Sequence, residues 1–255
     1  MLTGISTYLV LLLTSCIVGA LIGAVGVGGV LLVPALIYLT DLGVHQSMAT
    51  ALCSFLATGV AGALAFQRKG SIDWWVTLPL CLGALVCSYL GAMANAYVNG
   101  QVLTLVLAAL IVVAGLYMVG AVSGMPSPAF AGRPRSQWML LVGLGSVAGF
   151  SSGLTGTGGP LVAVPLMILC GFPPLMTVGA SQVLQIIAAG SGTLGNLVYG
   201  SIDFVLVAMI VAFEVGGVLL GVKIVHAVDV LQVRRLIAWL CIIIGTGIIY
   251  GAATG

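Results

Sequence analysis

An uncommon string of glycines occurs twice in this 255-residue chain, 130 positions apart, each time inside a long apolar run. Gly23, Gly26, Gly28 and Gly29 align with Gly153, Gly156, Gly158 and Gly159. The agreement continues downstream: Gly70-Ser71-Ile72-Asp73-Trp74 is matched by Gly200-Ser201-Ile202-Asp203-Phe204, and Gly91 and Gly115 by Gly221 and Gly245. The chain therefore reads as a duplicated unit whose halves break an apolar helix at the same place. Duplicated membrane transporters place a substrate site where such breaks meet, near the bilayer midplane.

Composition sets the solvent. With 61% hydrophobic and 5% charged residues, the chain cannot cover a water-facing surface with polar groups. The apolar runs are of helix length, about 20 residues, rather than the alternating stretches of about 10 that a membrane barrel needs. The six cysteines (Cys16, Cys53, Cys81, Cys87, Cys170, Cys241) form no Cys-x-x-Cys pair and have no histidine at ligand spacing. They read as small buried thiols, and no cofactor or metal is expected. Leu13-Thr14-Ser15-Cys16 resembles a lipoprotein cleavage box. No Lys or Arg precedes it, and the same stretch has a counterpart at Trp138 to Gly153, so it is expected to stay in the fold.

The runs predict a broken segment over 5–39 and helices over 44–66, 74–94 and 102–122. A second broken segment follows at 138–170, then helices over 175–199, 204–222 and 236–251. This gives a first unit at 1–122, a Pro/Ser/Gly-rich linker at 123–137 and a second unit at 138–255. If each broken segment crossed the bilayer once, the basic residues would scatter over both faces. If each returns to its own side, Arg68, Lys69, Arg133, Arg135, Lys223, Arg234 and Arg235 all share one face, as cytoplasmic loops do. The expectation is an all-α protein of the cell membrane built from two inverted repeats. Each repeat is a glycine-broken, U-shaped or re-entrant helix pair plus three transmembrane helices, and both termini lie outside.

Backbone turns at membrane depth persist only against protein, water or a ligand. Glycine permits positive φ and close approach there. The arm after each tip begins with free N–H groups and a partial positive charge, which favours an anion. Pro160 suits a first helical position, and Pro34 and Pro165 lie farther along the arms. The expected site comprises Gly26, Gly28 and Gly29 of the first tip and Thr155, Gly156, Thr157, Gly158 and Gly159 of the second. Hydroxyls at Thr50, Ser54 and Thr58, spaced by four, and the stripe of Ser181, Gln182, Gln185 and Asn196 line the following helices. Ser151 and Ser152 add hydroxyls near the second tip. Glu214, mid-helix and matched by Ala84, is a candidate for carrying a proton. The partners expected are lipid, a small anion and a coupling ion such as a proton.

Paired Gly-x-Gly-Gly tips, a proline a few residues later and the helix after each tip resemble the sulfite exporter TauE/SafE family of membrane transporters. The resemblance covers essentially the whole chain. It implies carriage of sulfur-containing anions such as sulfite, thiosulfate or organosulfonates, or of related organic anions. A passive anion channel would use the same pocket without alternating access. An intramembrane serine hydrolase is the third reading. Gly149-Phe150-Ser151-Ser152-Gly153 fits Gly-x-Ser-x-Gly, with His226 and Asp229 as base and orienter, but the pattern lies at a helix break in lipid rather than at a strand-to-helix elbow.

Overall fold

A computed structural model describes residues 2–26, 28–120, 128–130, 132–227, 239, 242–243 and 245–250. Arg234, Arg235, Asp229, Ser127 and most of the expected last helix lie outside the described residues. The rest is helical: α1 (Leu2–Val25), α2 (Gly29–Leu39), α3 (Val44–Arg68), α4 (Trp74–Tyr97), α5 (Gly100–Gly120), α6 (Pro134–Thr155), α7 (Pro160–Leu169), α8 (Pro174–Tyr199) and α9 (Phe204–Val225). Residues 245–250 are helical as well, and no strand occurs among the described residues. Among the described residues, six helices are long and apolar enough to cross a membrane. This is an all-helical membrane protein.

Local chemistry sets several boundaries. Asp73 and Asp203, equivalent by 130, cap α4 and α9 by accepting from the N–H of Trp75 and Leu206, each at 2.9 Å. Pro134, Pro160 and Pro174 each open a helix, where a missing N–H costs nothing. The arms of each broken segment are unequal. α1 and α6, with 24 and 22 residues, are each over 30 Å long at about 1.5 Å per residue, whereas α2 and α7, with 11 and 10, span only about half as much.

Packing recurs with the halves exchanged. Gly19 of α1 lies against the backbone of Glu214 on α9, and Gly149 of α6 against that of Ala84 on α4. Gly23 meets Val218 as Gly153 meets Ser88, and Gly221 meets Ala20 as Gly91 meets Phe150. Residue numbers rise together along both pairs, so α1 runs parallel to α9, and α4 to α6. Glycine at these crossings lets main chains touch, the usual packing of membrane helices. α3 and α8, equivalent by position, run antiparallel. From Leu52 and Leu56 through Gly59 and Gly62 to Phe66, the neighbours on α8 descend through Gly192, Gly190, Ile186, Gln182 and Gly179.

The described basic residues gather at one end of the bundle. Ser71, just after Arg68 and Lys69, touches His226 at the end of α9, next to Lys223, and its carbonyl faces Gly179 near the start of α8. Trp75 shares a cavity of about 390 Å³ with Pro134, Arg135 and Trp138. At the opposite end His45 meets Asn95, Tyr97 meets Tyr199, and Thr50 meets Asp203.

Candidate functional site

The two tips touch. A side chain on Gly29 would strike the Thr157 carbonyl oxygen, and one on Gly26 would lie 3.7 Å from Pro160 and 3.0 Å from Val164 of α7. Phe55 of α3, fully buried, spans both: its ring faces Gly29 and Gly158. α2 and α7 therefore start side by side in the interior, between α3 and α8. Their N-caps, Gly28 and Gly159, are buried, and neither helix start has a side-chain cap. α3, α6 and α8 are also uncapped by side chains, but their starts lie at the exposed ends of the bundle. The first turns close through Leu31 to the Gly28 carbonyl and through Val162 and Ala163 to the Gly159 carbonyl. The amides ahead of those closures have no partner within their own helices.

The backbone differs between the tips. Gly26 and Gly156 are both left-handed, with φ of 79° and 69°. Gly158 and Gly159 also have positive φ, 84° and 90°, whereas Gly28 has φ −73°. Positive φ was the expected need at Gly28. Its constraint is steric instead: a side chain would meet the Val18 carbonyl and Ile22 of α1.

Side chains around the crossing are mostly engaged. Thr155 donates to the Ser151 carbonyl, so the 2.9 Å contact between hydroxyls has Thr157 donating to Thr155. Ser181, beside Gly26, donates to the Val178 carbonyl. Gln182 donates to the Ile22 carbonyl at 3.0 Å, tying α8 to the end of α1, and its Oε1 is buried without a partner against Gly62. Gln185 donates to the Phe55 carbonyl and to Thr58. Ser152 Oγ, one turn before Gly156, is buried and unpartnered. Residues of both tips thus converge with Phe55, Ser181 and Gln185.

Other expected residues go elsewhere. Thr50 accepts from the Asp203 N–H at 3.1 Å, at the α8–α9 loop. Asn196 lies at the far end of α8, its carbonyl accepting from Gly200. Ser54 donates to Ala51 and faces Glu214 without closing a hydrogen bond to it. His226 donates through Nδ1 to the Val222 carbonyl and accepts from Ser71 at Nε2, while Ser151 donates to the Val147 carbonyl. Serine and base of the hydrolase pattern are not brought together.

Sequence reasoning missed an outer network on the second tip. Asn95 donates to the Leu154 carbonyl at 2.7 Å and to Met48 Sδ, which fixes its amide and makes His45 Nδ1 the donor to its Oδ1. Met48 in turn presents its main chain to Gly156. The available signal was a lone buried asparagine in an apolar helix.

Comparison with known proteins finds relatives named as membrane transporters. The chain is 25% identical to the probable membrane transporter protein YdhB of Bacillus subtilis (strain 168), over 84% of this chain and 89% of that one. It is 29% identical to the probable membrane transporter protein YjnA of the same organism, over 83% and 87% of the two chains. The probable membrane transporter protein MJ0441 of Methanocaldococcus jannaschii is 24% identical, over 80% and 83%. No solved structure matches. Residues 11–248 match the Sulfite exporter TauE/SafE family, and the chain, a membrane transporter by that relationship, belongs to it.

Proposed function

We propose that this protein is a secondary carrier of a small anion, a sulfur oxyanion or organosulfonate, which binds at the crossing of the two tips. The observation that carries the reading is the pair of buried, uncapped helix starts at Gly28 and Gly159, in contact through Gly29 and Thr157. Two helix N-termini in one interior space add partial positive charge without a full cation. Every described Arg and Lys stands at a helix end or in a loop, so capture rests on neutral donors and release stays easy. Amides of both tips would hold the anion, with Ser152, Thr157, Ser181 and Gln185 alongside.

Alternating access would follow from an inverted relation of units 1–122 and 138–255, joined by the linker 123–137. The antiparallel course of α3 and α8 and the exchanged α1–α9 and α6–α4 contacts support it. The end carrying Arg68, Lys69, Arg133, Arg135 and Lys223 would face the cytoplasm, with the protein in the cell membrane and both termini outside.

Uptake of labelled sulfite into proteoliposomes tests the anion site. Unlabelled sulfite, thiosulfate and a small sulfonate should compete, and flux should saturate at low turnover. Equal competition by an uncharged analogue would remove the anion reading, and flux that never saturates would favour a channel.

A further inference from the structure

A buried carboxyl stands apart from the tip crossing. Glu214 lies midway along α9 with 0% exposure, its backbone covered by Gly19 of α1. Neither carboxyl oxygen has a hydrogen-bond partner. Ser54 of α3 lies beside it, but the Ser54 proton goes to the Ala51 carbonyl.

No described charge answers it. α9 packs on α1 and α3. α1 brings Tyr8, half exposed, and Cys16, which offers its backbone to Gly217. α3 brings His45 and Arg68 at its two ends and Cys53, a half-buried free thiol, between them. α9 itself has Asp203 at its start and Lys223 and His226 at its finish. An isolated carboxylate in such surroundings is strongly disfavoured, and a carboxyl so placed neutralises by taking a proton. A metal cation would need several oxygen ligands, and no group of three or more His, Cys, Asp or Glu occurs among the described residues. The 130-residue equivalent, Ala84, is buried too, so this arrangement exists once.

We propose that Glu214 is a proton-binding site which couples a proton gradient to the carrier cycle. In the conformation described here the carboxyl is protonated. When α1, α3 and α9 part enough to admit water, the O–H bond breaks, the proton leaves to that water and the carboxylate stays behind. Closure around the substrate takes a proton from the side the site then faces, and reopening releases it to the other side. The empty carrier returns with the carboxylate hydrated, so one proton moves with each anion. The proposal rests on the carrier reading, and two measurements separate their failures.

Infrared spectra of the protein in lipid at neutral pH should show the carbonyl stretch of a protonated carboxylic acid, lost in Glu214→Gln. Absence of that band, or its persistence in the variant, would overturn the protonated site, and this arm needs no substrate. The second arm uses thiosulfate, whose charge does not change near neutral pH, in proteoliposomes with the membrane potential clamped. Exchange of labelled for unlabelled thiosulfate at equal pH reads the anion site alone. One unit of imposed pH difference should accumulate thiosulfate about tenfold at one proton per anion. In Glu214→Gln the ratio of pH-driven uptake to exchange should collapse toward that of empty vesicles. An unchanged ratio in the variant, or accumulation driven by sodium instead of pH, would overturn the coupling. A wild-type protein that shows the infrared band but no exchange would sink the anion reading and leave the proton site standing.

Discussion

The two glycine tips share a sequence pattern and a contact, yet they are built and held differently. The first has one left-handed glycine, Gly26, and is tied at Ile22 by Gln182 from the helix opposite. The second has three, at Gly156, Gly158 and Gly159, and is tied at Leu154 by Asn95, with His45 and Met48 behind it. Its threonine hydroxyls also close on each other. A duplication preserves where a helix breaks more faithfully than how the break is shaped, because glycine tolerates several backbone solutions.

The largest effects should come from Gly158→Val and Gly28→Val. Both are expected to abolish transport and to harm folding less than transport, through positive φ plus the Phe55 ring at Gly158 and through the α1 main chain at Gly28. Parental transport rates in both would reduce the tips to packing elements. Next come the equivalent positions Gly26 and Gly156. Alanine at Gly26 adds about 1–2 kcal/mol of left-handed strain, since its neighbours are side chains that can yield. At Gly156 the same strain adds to collision with the Met48 main chain, so thermal unfolding should show the larger loss there. Equal losses would erase the difference between the tips.

Asn95→Ala should destabilise by about 1–3 kcal/mol, the cost of an unpaired buried carbonyl at Leu154. Gln182→Ala should cost less, since Gln182 supplies one bond to the first tip and Asn95 serves three partners. The reverse order, by thermal unfolding, would mean that the first tip is the more firmly held. The smallest effect is Thr157→Val, about 1 kcal/mol weaker anion binding, or more if the bond is charge-assisted. Orientation has its own test in a background without native thiols. A cysteine at Ser71 should resist an impermeant reagent in intact cells, while one at Asp41, at the other end, should react.

The helix breaks were legible because glycine and proline act locally. Gly26 and Gly156 ended their helices, and Asp73 and Asp203 started theirs, where the pattern placed them. Register between helices was not legible. Spacing by four put Thr50, Ser54 and Thr58 on one face, but only packing decided that Thr50 would meet the Asp203 amide, Ser54 the flank of Glu214 and Thr58 the Gln185 amide. Phe55, which touches both tips, carries no polar signature that could have singled it out.

The exchanged pairing of first and fourth helices sets a timetable for synthesis. Gly19 and Gly23 enter the membrane early, but their partners on α9 are made about 195 residues later, roughly 10–40 s at ordinary rates of synthesis. Until then α1 presents a bare glycine face to lipid. α6, by contrast, finds α4 already made. Truncation after the first half should therefore leave α1 exposed to quality-control proteases. Supplying the second half as a separate chain should rescue it.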